Sequence, residues 1–236
     1  MEIRWLGHSA FEIISDDNVK ILIDPFISNN PACEVPVEEL NPDIILLTHG
    51  HSDHFGDALE ISNSTNAPVA CIHEISLFLA KQGIRNISVN IGGSFIFQNI
   101  KFTMLEAKHS SDIDIVEETV PGGTAASFLI TFEDGTKVFH AGDTGLFGDM
   151  KDIIGSIYKP DIVLVPIGDK FTMGPFEAAL ATMWMNPKVV VPMHYNSFPA
   201  IKQNPEEFRM LVEKESADLK VEILKPLDAL NFTRNR

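Results

Sequence analysis

Short β-branched runs recur along this chain, and most of them end in a histidine or an aspartate. Three share a form: NPDIILLTHGH at 41–51, KPDIVLVPIGD at 159–169 and NPKVVVPMHYN at 186–196. Each carries a proline, then a continuous apolar stretch that predicts a strand buried on both faces, then a polar loop. VKILIDPF ends in Asp24, IKFTMLEAKHSS in His109, and TKVFHAGDTG in His140 and Asp143. FLITFEDGTKVFH predicts a hairpin with Asp134 and Gly135 at its turn.

Helix signals lie between these strands. FGDALEISNST predicts a helix just after position 54, and EISLFLAKQG predicts one that ends at a glycine cap. GPFEAALATMWM places Pro175 at a first helical position. NPEEFRMLVEKES has Asn204 as its cap, with acidic residues in the first turn. Strands and helices that alternate throughout favour a layered α/β architecture. The least regular stretch, SSDIDIVEETVPGGTA at 110–125, reads either as a lid over a site or as an ordinary surface loop.

Composition narrows the function classes. At 236 residues and 44% hydrophobic side chains, the chain has enough material for a substantial core. No apolar run reaches the roughly 18 to 20 residues of a membrane helix, and the chain opens on the strand-like MEIRWLG, so the expectation is a cytoplasmic protein with no membrane partner. Cys33 and Cys71 form no metal or redox motif and read as small apolar residues. A formal charge of −15 disfavours a nucleic-acid partner.

The chemistry concentrates in ILLTHGHSDHFGD at 45–57, where His49, His51, Asp53 and His54 crowd into six residues. Imidazole and carboxylate are ligands for zinc, manganese or iron. His49 and His51 suit one ion, Asp53 and His54 a second, and Asp143 at a later strand end suits a bridging position.

The run from His49 to His54 matches H-x-H-x-D-H, and with His109, Asp143 and His194 in order it resembles the metallo-β-lactamase superfamily. WLGHSAF, THGHSDH, HAGDTG and PIGD…FTMG…PMHYN resemble, more narrowly, small metal-dependent hydrolases related to ascorbate-6-phosphate lactonase. The resemblance implies one domain over 1–236, a four-layer αββα sandwich, a dinuclear site at one edge and a homo-oligomer. It also implies ligand sets: His49, His51 and His109 for one ion, Asp53, His54 and His194 for the other, with Asp143 between them. The third histidine lies in AKHSS, unlike the glycine-histidine setting of the β-lactamases and glyoxalase II, so their substrates are not carried over.

Two divalent ions, zinc before manganese or iron, would generate a shared hydroxide for attack on a small-molecule ester, lactone or phosphodiester. Asp53 would orient that nucleophile, while His8 and Tyr195 are the candidate proton donors. Other readings are an iron-dependent oxidoreductase and a non-catalytic metal-binding module. Asp24 is expected to accept hydrogen bonds from the His49 loop, and His140 to orient a ligand or pack beneath it. Asp169 and Lys170 are expected at the same edge, as substrate contacts or as a solvated turn, and His73 is expected to be structural.

Overall fold

The computed structural model describes residues 1–216 and 218–234. Seven strands form the first sheet: β1 (Glu2–Gly7), β2 (Ala10–Ile14), β3 (Lys20–Ile23), β4 (Ile44–Leu46), β5 (Val69–Ile72), β6 (Asn86–Val89) and the late β14 (Ala229–Asn231). Their spatial order is β14-β1-β2-β3-β4-β5-β6. The second sheet holds β7 (Ser94–Phe97), β8 (Ile100–Glu106), β9 (Ala126–Thr131), β10 (Lys137–His140), β11 (Ile162–Pro166), β12 (Val189–Met193) and β13 (Lys220–Val221), in the order β13-β12-β11-β10-β9-β8-β7. Each sheet joins an antiparallel meander to a parallel run. Pairing is antiparallel from β14 to β3 and from β7 to β10, and parallel from β3 to β6 and from β10 to β13.

Parallel neighbours need a crossover, and that is where the helices fall. After the short α1 (Ser52–Phe55), helices α2 (Ala58–Thr65) and α3 (His73–Lys81) serve the first sheet. A π-helical segment (Met150–Tyr158), α4 (Pro175–Met185) and α5 (Pro205–Glu215) serve the second. The result is the expected αββα sandwich. Pro175 opens α4, and the Asn204 side chain accepts from Glu206 N, as their positions predicted. The hairpin is also found, with Gly135 at φ +81° in the loop between β9 and β10. The predicted helix after position 54 is instead two pieces broken at Gly56 and Asp57, and the π-helical segment had no forecast.

The three repeated strands are β4, β11 and β12, and every residue in them is buried. Phe11, Phe102, Phe128 and Phe139 are among the large side chains removed from water, each worth roughly 1.5–3 kcal/mol. Polar bonds tie the two halves together near one edge. His140 Nε2 pairs with Ser9 O at 3.0 Å, and His194 N donates to His8 O at 3.0 Å. No helix among the described residues is long and apolar enough to cross a membrane.

The 110–125 stretch is not a free loop. Ile113 and Val120 pair across it, and the Ile113 side chain is fully buried. The Ser111 hydroxyl donates to Gly122 O and accepts from Gly50 N, so the base of this flap is fixed to the His49 loop. The approach at Gly122 leaves no room for a side chain, since a Cβ there would lie 1.8 Å from Ser111 O.

Gly56 sets the direction in which the chain leaves the histidine cluster. It has φ +44° and ψ −126°, and a Cβ would meet Pro25 O at 2.2 Å. Gly56→Ala should therefore cost at least the roughly 1–3 kcal/mol of a strained residue. A lowered urea midpoint with an unchanged slope would show it; an unaltered midpoint would refute the constraint.

Candidate metal centre

The site lies where strands of both sheets end. β3 delivers Asp24, β4 leads through Thr48 to His49, β8 leads to His109, β10 to Asp143 and β12 to His194. Ligand sites in open α/β sheets favour such carboxyl ends. The β1–β2 turn adds His8, and α1 carries Asp53 and His54. His8, Asp24 and His194 all have positive φ (54°, 46° and 55°), a conformation that side-chain-bearing residues rarely hold without support from their surroundings.

Asp24 organises the cluster from beneath. Fully buried, it accepts from Thr48 N at 2.8 Å and from Thr48 Oγ1 at 2.6 Å, and its Oδ2 lies 2.8 Å from His54 Nδ1. The expected bonds to the His49 loop are present. With Nδ1–H donated to this carboxylate, His54 turns the Nε2 lone pair outward. Asp57 adds a second tie, since its Oδ2 accepts from Ile27 N and Ser28 N, both at 2.9 Å, and holds the loop after β3 against the start of α2.

Three donor groups result, with one atom per residue within 4.8 Å of its fellows: His49, His51 and His109; His8, Asp53, His54 and His194; and His49, His54 and Asp143. All seven sequence-derived ligand candidates fall within these groups, and six of the eight histidines converge here. His8 joins the second group, a placement that its position after a first strand did not reveal.

Asp143 Oδ1 approaches His54 Nε2 at 3.3 Å and its Oδ2 approaches His194 Nε2 at 2.9 Å and His109 Nε2 at 3.7 Å. Yet Asp143 Oδ1, His54 Nε2 and His194 Nε2 are buried and have no hydrogen-bond partner. Buried polar atoms are normally paired, and imidazole nitrogens and a carboxylate that crowd together without well-formed hydrogen bonds are what a divalent cation would satisfy, displacing any proton His54 holds. The donor set therefore fits metal ions.

The electrostatics separate the histidines. Burial, reinforced by His54, keeps the His49 pKa well below its usual value, and burial also lowers that of His109. Both are neutral imidazoles at physiological pH, the form that binds metal. Burial would lower the His54 pKa too, but the carboxylates of Asp143 and Asp24 outweigh it and raise it. Burial would raise the Asp143 pKa, but His194 and His54 hold it well below the ordinary carboxylate range.

The candidate proton donors lie behind the cavity rather than in it. His8 is fully buried, with Nε2 at 3.2 Å from Asp53 Oδ2 and Nδ1 at 3.0 Å from Ser197 Oγ. Burial, with His194 beside it, lowers its pKa to about 4. Tyr195 stacks on Trp5 at 5.6 Å, and burial and Glu206 push its pKa up to about 12. Neither lines the cavity above the site. His140 pairs through Nε2 with Ser9 O and accepts from Gly142 N at 3.1 Å, which fixes the backbone beside Asp143. Asp169 and Lys170 are exposed and do not line the cavity, and His73 pairs with Ser88 on the surface.

That cavity encloses about 390 Å³. Its floor is His51, Asp53, His109, Asp143 and His194; its walls are Ser52, Ser110, Asp114, Phe171 and Phe198. Sequence reasoning missed Phe171 and Phe198, whose positions depend on loop paths that no periodicity encodes; of the acidic residues it noted on the 110–125 stretch, Asp112, Asp114, Glu117 and Glu118, Asp114 lines the cavity.

Comparison with known proteins agrees with this geometry. A Beta-lactamase superfamily domain profile matches residues 2–194. A UPF0173 metal-dependent hydrolase of Methanobrevibacter smithii is 73% identical over 226 residues, covering 96% of this chain and 95% of the relative. The structure of Igni18, a metallo hydrolase from Ignicoccus hospitalis, superposes with a TM-score of 0.89 at 39% identity and 99% coverage of both chains. An isothiocyanate hydrolase from Delia radicum gut bacteria shares the fold, with a TM-score of 0.77 at 20% identity over 99% of each chain. With its donor groups at the strand ends and relatives this close, the chain belongs to the beta-lactamase superfamily, among its metal-dependent hydrolases.

Proposed function

We propose that the chain hydrolyses a small-molecule ester or lactone at a dinuclear centre, with zinc the first choice of ion for so imidazole-rich a donor set. The observation that carries this reading is the unpartnered convergence of Asp143 Oδ1, His54 Nε2 and His194 Nε2 between two histidine groups. His49, His51 and His109 would hold one ion, Asp53, His54 and His194 the other, and Asp143 would bridge. Two such ions supply acidified water and polarisation of the scissile carbonyl.

The remaining roles belong to the chain's own groups. Asp53 lines the cavity while His8 holds its Oδ2, and Ser197 in turn fixes His8, so the carboxylate is oriented toward the reacting centre. Burial would raise the Asp53 pKa, but His8 and His54 keep it below the ordinary range, so it stays an acceptor. His8 is thereby a positioning residue. In hydrolysis the water oxygen bonds to the acyl carbon, the acyl–oxygen bond breaks, and a proton passes to the departing alcohol. Of the carboxylates that line the cavity, we assign the relay of that proton to Asp53, which His8 orients. Phe171 and the half-buried Phe198 give the cavity an apolar wall.

Three outcomes test the proposal. Elemental analysis should find about two ions per chain, with turnover of lactone and nitrophenyl ester substrates lost on chelation and restored by zinc or manganese. Iron without hydrolysis, or hydrolysis insensitive to chelation, would sink it. Asp143→Ala should lower both metal content and turnover, the latter by at least about 100-fold; full metal content in that variant would remove Asp143 from the ligand set. Asp24→Asn puts an amide donor where His54 Nδ1–H needs an acceptor. Metal affinity should fall about 10- to 100-fold in a chain that still folds, as read by competition with a chromophoric chelator and by circular dichroism.

A further inference from the structure

The walls of the cavity say more about the substrate than its floor does. Phe198 is half-buried and braced at its back, with its ring 5.5 Å from His8 and 6.1 Å from Phe26. Phe171 is 53% exposed although it lines the same cavity. An aromatic ring left in water at the mouth of a site is apolar surface available to a ligand. The third wall is Asp114, exposed on the flap whose base Ser111 fixes.

Neither lysine nor arginine lines this cavity among the described residues. Lys170 lies over the Phe171 ring, 5.3 Å from its centroid, and Lys108 is paired with Glu106. Recognition of a phosphate or carboxylate arm calls for a basic side chain or a helix N-terminus. Here the arm would meet Asp114 instead, on a protein of formal charge −15. Bound ions would offer positive charge to the reacting oxygen, so the discrimination concerns the outer arm of the substrate, not its scissile bond.

Resting on the hydrolase reading above, we propose that the substrate is an uncharged ester or lactone with an apolar or aromatic arm held between Phe171 and Phe198, and that Asp114 rejects anionic arms. Phosphorylated lactones and nucleic-acid phosphodiesters are thereby outside its range. Asp114 is a specificity determinant and not part of the ion-binding floor.

The test compares matched pairs. p-Nitrophenyl butyrate and p-nitrophenyl hemisuccinate share a leaving group and differ in a terminal carboxylate. N-phenylbutanamide and N-phenylsuccinamic acid are the corresponding hydrolysis-resistant ligands, whose binding to the metal-loaded protein is read by calorimetry without turnover. Wild type should prefer the neutral member of each pair. Asp114→Asn should shrink that preference about fivefold, the effect of one unit charge a few Å away in a watery site, and added salt should shrink it too. Phe171→Ala should weaken both amides alike and leave metal content unchanged.

Preference for the anionic members, particularly one abolished by Lys170→Met, would overturn the proposal. So would a preference unaltered by Asp114→Asn. Absence of ester turnover, with the neutral amide still bound in preference to the anionic one and that preference reduced by Asp114→Asn, would count against the hydrolase reading while supporting the assignment of the cavity walls.

Discussion

The buried carboxylate of Asp24 is the constraint on which the site depends. It sits at the end of β3 with no exposure to water, and a charge in that position is tolerable only if its lone pairs are filled. Thr48 fills two acceptor positions through its backbone and hydroxyl, and His54 approaches for a third. Those contacts place β4's exit loop and α1 at fixed distances from one carboxylate. Removing the acceptor would release both chain segments that carry the first half of the donor set. The same contacts orient His54 with its Nδ1 inward, so the direction of its other nitrogen is decided beneath the cluster, before any ion is considered.

The second constraint is architectural. His49, His51, Asp53 and His54 come from the first half of the chain, and Asp143 and His194 from the second, with His109 on the strand-end loop of the second sheet. Neither sheet alone assembles a donor group with Asp143 or His194 in it. The sheets must therefore be held in register at this edge, and the bonds from His140 to Ser9 and from His194 to His8 are placed to do so. His140 is buried, its pKa lowered by burial, and as a neutral ring it donates at one nitrogen and accepts at the other. It acts as a cross-link between halves rather than as a reactive group.

Much of this was legible in the sequence because the chemistry sits at strand ends. A buried parallel strand announces itself as an unbroken β-branched run, and the residues after it must emerge at a sheet edge, so Asp24, His49, Asp143 and His194 could be placed on edges from pattern alone. Pro175 and Asn204 marked helix starts by local chemistry that does not depend on the fold. The division of the strands between two sheets was not legible, since the β4 run resembles the β11 and β12 runs yet pairs in the other sheet. Gly56 breaks a helical pattern for a steric reason that lies in the Pro25 backbone, far back along the chain. The π-helical segment Met150–Tyr158 has an apolar face any helix could share, and its wider turn leaves no residue-level mark. Phe171, Phe198 and Asp114 meet only because three loops end at one cavity.

Strain and unpaired atoms collect at the same edge. His8, Asp24 and His194 hold positive φ, each at a cost of roughly 1–3 kcal/mol. Nearby, Asp143 Oδ1, His54 Nε2 and His194 Nε2 are buried without partners, a further cost of about 1–3 kcal/mol per group. The strands that lead there are, by contrast, fully buried and regularly paired. Other positive-φ residues, among them Asn66, Gln98 and Lys159, lie in turns elsewhere, but among the described residues only at this edge do three such residues stand beside buried atoms that cations would satisfy. Binding cations would relieve the crowding of those atoms and brace the strained turns together, so ion affinity and folding stability at this edge are one quantity seen from two sides.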